Sequence, residues 1–563
     1  MLKTTRSRET WLFWILALLV LGAGLGLRDP WPADEPRFTL VAKHMVESGD
    51  WLFPHRGNEL YSDKPPVFMW LQAAAYSVFG NWRVAFMLPS LLAALGTLWC
   101  VVDLGKRLWT RRVGLYAGYA LLFTLHFTYQ AKKAQIDPTV VFWITLANYG
   151  LLRHFLRGGD WRMWMLGWFA AGMGTITKGV GALALLMLVP AVLGALRQWP
   201  GVVFPRRWQL LLGPLAFVFA VSLWLVPMVT SALHHPDPTY HAYMEDILFR
   251  QTAKRYAQSW DHHQPPWYHL TVMASMWLPL LLALPWALPA WKRRLQRRDP
   301  RYLLPLLWWA LVLLFFSIPN GKRDVYILPA LPMACLAFAP LLPGIVRKAW
   351  PRRIAFAFAA LFALLLTGAG LAMLLGNPGF EAKLIGDRGL HASAAPFAWT
   401  LLAMGGGAWA GLLWFGLRRP LAALLSSLAV VWVLYGLLVY PLLNDSSSAR
   451  GLMTAIDRRL PADAQLGLVA WKEQNLLMAQ RPAATFGFRV PWHEQLRQAI
   501  AWQGEAPQRR WLLVQEPALS ECIDRSKAEF AGRSNRRAWW LVPATAVVPG
   551  CRPAAKPDAA DPD

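Results

Sequence analysis

The sequence predicts an α-helical, polytopic membrane protein with about thirteen transmembrane helices and a small extracytoplasmic α/β domain at its C-terminal end. Three observations carry this. The 563 residues are 56% hydrophobic and only 16% charged, against about 25% charged in soluble domains. The apolar residues come in long uncharged runs, among them Ile15 to Leu27, Leu115 to Phe127, Leu183 to Leu196 and Ala355 to Leu375. A bilayer core about 30 Å thick needs roughly 20 such residues per helix. The net charge of +25 sits in short clusters between those runs, as membrane topology requires, and not as a basic surface for nucleic acid.

Taken in order, Met1 to Thr10 carries Lys3, Arg6 and Arg8 and leads into the first apolar run. No small-residue cleavage site precedes a soluble domain, so the run reads as a retained span. The candidate spans are 11–27, 83–101, 113–130, 138–155, 162–178, 180–196, 209–231, 269–291, 303–318, 324–342, 354–375, 395–417 and 420–442. With the N-terminus inside, the inner loops hold Lys106/Arg107/Arg111/Arg112, Arg153/Arg157/Arg162, Arg197/Arg206/Arg207, Lys292 to Arg298, Arg347 to Arg353 and Arg418/Arg419. Every second loop then obeys the positive-inside rule, and an odd number of spans places the C-terminal segment outside.

This divides the chain into a membrane domain, 1–443, and an outer domain, 444–563. The long outer loop 28–82 contains two stretches of helical apolar spacing, Pro36 to Glu47 and Pro65 to Phe79, that read as helices along the membrane surface. A second outer loop, 232–268, is rich in His and Tyr. In the outer domain, strand-like runs at Trp511 to Gln515 and Ala538 to Val542 alternate with amphipathic stretches, and Arg552 to Asp563 has a disordered composition.

Cys100 and Cys335 lie in apolar runs. Cys522 and Cys551 both fall in the outer segment, an oxidising compartment in this topology, and are expected to form a disulfide. No CxxC spacing is present. The pairs among His234, His235, His241, His262 and His263 read as part of a polar loop, because adjacent side chains point apart in regular structure. The 33 tryptophans read mostly as interfacial anchors.

Charges retained at a membrane boundary suggest function. Four groups stand out: Asp34-Glu35-Pro36-Arg37; Tyr61-Ser62-Asp63-Lys64-Pro65; Lys132, Lys133 and Asp137-Pro138; and Asn320-Gly321-Lys322-Arg323-Asp324 with Tyr326. All four fall on the outer side. Lys and Arg at headgroup level can hold a phosphate, and acids beside them can act as base or orient an acceptor. That combination suits transfer of a sugar from a lipid phosphate. There is no GxxxxGK[ST] loop and no GxGxxG element for a soluble nucleotide. Each group also has a structural reading: Asp34, Glu35 and Asp137 as helix caps, Lys64 as a snorkelling lysine, Lys322 and Arg323 as loop charges.

The ordered series Asp34-Glu35-x-Arg37, Ser48-Gly49-Asp50-Trp51, Tyr61-x-x-Lys64-Pro65, Ile136-Asp137-Pro138, Phe315-Phe316-Ser317, Gly321-Lys322 and Tyr326-Ile327-Leu328-Pro329 resembles the bacterial aminoarabinose transferases that modify lipid A. These belong with the protein O-mannosyltransferases in the GT-C class. The resemblance covers most of the membrane part. It implies a polyprenyl-phosphate-sugar donor, lipid A or another glycan or protein as acceptor, and a bacterial inner membrane location. It implies Asp34 and Asp137 as catalytic acids, Lys64, Arg255, Tyr326 and Lys322 as donor-phosphate ligands, and Glu35, Arg37, Tyr61 and Asp63 as supporting residues. Phe38 stands where the family often has Tyr, Asp63 where it often has Glu, and Arg250-Gln251-Thr252 has no His, so a divalent metal is left open. The rival within enzymes is a protein O-mannosyltransferase. The rival outside them is a lipid-sugar flippase, which internal repeats and mid-membrane charges would favour.

Overall fold

Each of the thirteen apolar segments carries helix in the computed structural model, which describes residues 2–203, 208–249, 263–376, 379, 395–555 and 558. Among these residues seven helices are long and apolar enough to cross a membrane: Trp82–Leu108, Gly179–Leu196, Trp208–His234, Pro300–Ser317, Ala349–Leu374, Ala395–Phe415 and Pro420–Ser447. Tyr268–Met276 and Leu280–Gln296 make an eighth if a pair bent by 93° counts as one span. This is fewer than the thirteen uniform spans that hydropathy suggests. Helix α1, Leu2–Gly22, is charged in its first turns. Ile136–Leu156 carries Asp137 and Arg153 near its ends. The 113–130 run is broken into Arg111–Leu122 and Leu125–Ala131, and the 324–342 run begins with the 3₁₀ turn Asp324–Ala330. The last span continues as helix to Ser447, a turn beyond the expected boundary at 443.

The loop 28–82 contains the two expected helices, α2 (Glu35–Ser48) and α3 (Val67–Phe79), separated by a short hairpin of β1 (His55–Arg56) and β2 (Glu59–Leu60). Helix α2 is packed on two sides. Phe38, Val41, Ala42 and Met45 enter the main helical core. Leu40 instead joins a core of the C-terminal region with Leu452, Ile456, Leu468 and Trp471. Burying one leucine contributes about 1.5–3 kcal/mol, so α2 is a hydrophobic bracket between the helices and the C-terminal sheet.

That sheet has the order β4-β3-β5-β7-β6, with β3 (Gln465–Val469), β4 (Ala483–Thr485), β5 (Arg510–Gln515), β6 (Glu529–Ser534) and β7 (Arg537–Val542). β3 is parallel to β4 and β5, and β7 is antiparallel to β5 and β6. Alternation of side chains gives it two buried faces. Leu466, Leu468, Leu513 and Leu541 pack under Arg450–Arg459, and Val469, Leu512, Val514 and Val542 pack under Trp492–Gly504. Cys522 and Cys551 are disulfide-bonded with Cα atoms 5.3 Å apart. Most of the Arg552 to Asp563 tail lies outside the described residues.

Two close approaches fix helix ends near the charged groups. Gly24 and Gly436 meet so tightly that a Cβ on Gly24 would lie 2.5 Å from the Tyr440 ring. This seats Tyr440 against the first loop, where its hydroxyl donates to the Lys132 carbonyl at 2.8 Å. Gly174 and Gly181 pack with no room for a side chain. The chain therefore folds back on itself after Thr177 and holds Lys178 at the end of its helix, its N–H donating to Gly174 at 2.9 Å.

Candidate active site

The four charged groups converge. Asp34 precedes α2 but makes no side-chain capping bond. Its carboxylate instead lies 3.6 Å from Arg37 Nη1 and 3.5 Å from Arg323 Nη2, and accepts from Gln135 Nε2 at 3.2 Å. Burial pushes this carboxyl up, but the positive charges of Arg323, Arg37, Lys178 and Lys64 outweigh it and hold the group below the ordinary value of 3.8. It is an anion at neutral pH.

Asp137 stands in the first turn of Ile136–Leu156 and is 2.6 Å from Lys178 Nζ. Lys178 also lies 5.4 Å from the centre of the Tyr326 ring, which stacks on Phe316. Arg323 is drawn to Asp34, Asp137, Tyr326 and Asp324 together, and these raise its pKa against the opposing effect of burial. Asp34, Lys64, Asp137, Lys178, Arg323 and Tyr326 thus form one electrostatic cluster from five stretches of chain.

Other expected site residues have structural partners. Glu35 is buried and ion-paired with Arg28, and accepts from the N–H groups of Trp31 at 2.8 Å and Ala134 at 2.9 Å. It ties the first loop to the segment before Asp137. Tyr61 is buried beneath Arg56. Asp63 is 3.0 Å from Arg489 of the C-terminal sheet region. Lys322 is not directed into the cluster: its Nζ donates to the carbonyls of Gln264 at 3.0 Å and Pro319 at 2.5 Å. Arg255 lies outside the described residues. Among the described residues, no group of three or more His, Cys, Asp or Glu side chains is arranged to hold a metal.

Two contributors were not singled out from sequence. Lys178 had a signal, since it closes an apolar run at the end that the loop charges predict to be outer, where Lys is rare. Glu473 had none. It is buried in the C-terminal region, accepts from Arg37 Nε at 2.8 Å and lies 3.6 Å from Arg56 Nη1. The C-terminal region thereby reaches a residue that touches Asp34.

Known proteins resemble the chain along most of its length. A family model described as dolichyl-phosphate-mannose-protein mannosyltransferase matches residues 63–226. An undecaprenyl phosphate-alpha-4-amino-4-deoxy-L-arabinose arabinosyl transferase of Pseudomonas paraeruginosa is 31% identical over 77% of this chain and 75% of its own. The chain belongs to this arabinosyl transferase family. The corresponding protein of Pseudomonas aeruginosa is also 31% identical, over 75% of each chain. Among solved structures, the crystal structure of ArnT from Cupriavidus metallidurans bound to undecaprenyl phosphate shares the fold, with a TM-score of 0.71 at 19% identity, over 96% of this chain and 99% of that one. Membership makes the protein a multi-pass membrane glycosyltransferase.

Proposed function

We propose that the protein transfers 4-amino-4-deoxy-L-arabinose from undecaprenyl phosphate to lipid A at the outer face of the bacterial inner membrane, with its N-terminus cytoplasmic and residues 444–563 forming a periplasmic domain. The observation that carries this is the cluster itself. One anionic carboxylate, Asp34, sits among Arg37, Arg323, Lys178 and Lys64, at the outer ends of apolar helices. A lipid-borne phosphate can reach cations placed there without its tail leaving the bilayer.

In this reading Lys64, Lys178 and Tyr326, with Arg255, receive the donor phosphate. Fixed cations stabilise the negative charge that grows on it as the bond breaks. An acceptor oxygen attacks the anomeric carbon in line, the bond from that carbon to the phosphate oxygen breaks, and undecaprenyl phosphate leaves with the electron pair. The anomeric centre inverts. A lipid A phosphate is already an anion and needs no base, so Asp34 orients it or binds the sugar's ammonium group. A hydroxyl acceptor would give its proton to Asp34. Asp137 holds Lys178 in place. Purified protein given aminoarabinose donor and lipid A should produce the mass of the modified lipid. Transfer of mannose from polyprenyl phosphate to protein, with none to lipid A, would refute this choice of substrates.

A further inference from the structure

The geometry points to a second anion-binding subsite, on the far side of α2 from the catalytic cluster, that takes a phosphate of the acceptor lipid's headgroup. It rests on the proposed function, in which the acceptor is a phosphorylated glycolipid. A cavity of about 380 Å³ opens between the Asp29-Pro30 turn, α2, the start of Trp82–Leu108 and the Arg450 and Met478 regions. Asp29 is buried at its wall. Arg83 donates to its two oxygens at 2.9 and 3.0 Å, Arg450 at 2.7 and 2.5 Å, and Asn444 at 2.8 Å.

This pairing leaves the wall cationic. Each guanidinium uses Nε and Nη2 on Asp29, and among the described residues neither Nη1 has a protein acceptor. Both arginines are about a third exposed. Lys43 adds a third cation, 3.8 Å from the exposed Glu47. Glu47 and Asp445, which lies near Arg450, are not part of the lining. One carboxylate therefore fixes two arginines, and three cations line the space. Such forks suit a phosphate's oxygens.

The start of an apolar span at its rim assigns the cavity to headgroup level. Trp82 begins an apolar span and stacks on Tyr76 at 4.2 Å, the position of an interfacial aromatic anchor. It is also separated from the reacting centre by one helix. Arg37 points from α2 to Asp34 and Glu473, whereas Thr39 and Lys43 line the cavity. Steps of 100° per residue place these on different sides of a helix about 10–12 Å across. A disaccharide headgroup phosphorylated at both ends can present one phosphate to the cluster and rest the other on Arg83, Arg450 and Lys43.

The test uses full-length protein in lipid nanodiscs, with bisphosphorylated and monophosphorylated lipid A as probes. Binding is read by native mass spectrometry and transfer by product analysis. Lys43→Glu should weaken binding of the bisphosphorylated lipid about tenfold and raise its KM, with kcat and donor KM unchanged, because one charge-assisted contact is lost. The monophosphorylated lipid should bind wild type and variant alike. Arg83→Lys should retain more of the preference than Arg83→Gln. Equal preference for the bisphosphorylated form in wild type and Lys43→Glu would overturn the subsite. Wild-type protein that binds donor yet transfers to neither lipid would overturn the acceptor reading, and the binding arm would still decide the subsite.

Discussion

Lys178 Nζ and the Asp137 carboxylate form an ion pair at 2.6 Å, with both side chains more than four-fifths buried. The pair joins two helix ends, Trp161–Thr177 and Ile136–Leu156, under Tyr326. A buried ion left alone is costly. Lys178→Met should therefore lower kcat/KM by at least about tenfold, and adding Asp137→Asn should cost little more, because the two residues act as a unit. Fully additive losses in this double-mutant cycle would show that they act separately.

Asp34 is assigned to the acceptor side. Asp34→Asn should remove most turnover while leaving donor binding nearly unchanged. Donor affinity can be measured by titration with the aminoarabinose donor in the absence of acceptor, and turnover after lipid A is added. Wild-type transfer by purified Asp34→Asn protein would refute the assignment.

The charge state of Asp34 gives a pH dependence with a definite sign. Its carboxyl lies below 3.8 in the folded protein, so it is ionised above that value and protonates only as the pH falls through the depressed pKa. Asp34 should impose no loss of kcat/KM between about pH 7 and about pH 5. Arg323→Gln removes the strongest opposing charge and leaves burial to act. The acid limb should then move upward, and an unmoved limb would mean that it reports another group.

Much of the cluster was legible because its charges interrupt apolar runs: Asp34, Lys64, Asp137 and Tyr326 could be placed at one face from loop charges alone. The direction of a side chain could not. Gly321-Lys322 reads as a phosphate motif, yet two backbone carbonyls hold the lysine ammonium. Hydropathy found helix in each of the thirteen apolar runs but missed Pro238–Glu245 in the loop read as polar, and it could not see the break between Arg111–Leu122 and Leu125–Ala131 or the 93° bend before Leu280. These depend on packing that a window average does not contain.

Orientation is open to direct measurement. Basic clusters in alternate loops predict that the N-terminus is inside and the C-terminal sheet on the opposite side. A reporter fused after residue 350 should report the cytoplasm, and one fused after residue 450 the periplasm. The same compartment for both would refute that arrangement of the last spans.

The C-terminal sheet region should take part in catalysis through Glu473. This residue meets Arg37 across 436 positions of sequence and also neutralises Arg56, whose guanidinium lies 3.6 Å from the centre of the Phe488 ring. Glu59 reinforces the contact by accepting from the N–H of Phe488 at 3.0 Å. Glu473→Gln keeps the shape and one acceptor but removes the charge, at a cost of about 1–3 kcal/mol. Arg37 would then be drawn more fully to Asp34, which is needed for the acceptor. We expect kcat to fall about tenfold with donor affinity retained, and the β1–β2 hairpin to exchange its amide hydrogens faster as the docking contact loosens. Glu473→Asp, which restores the charge on a shorter arm, should recover part of kcat. Faster hairpin exchange with unchanged kcat would mean that Glu473 only docks the outer region. Loss of kcat that Glu473→Asp does not relieve at all would mean that its charge is not what positions Arg37.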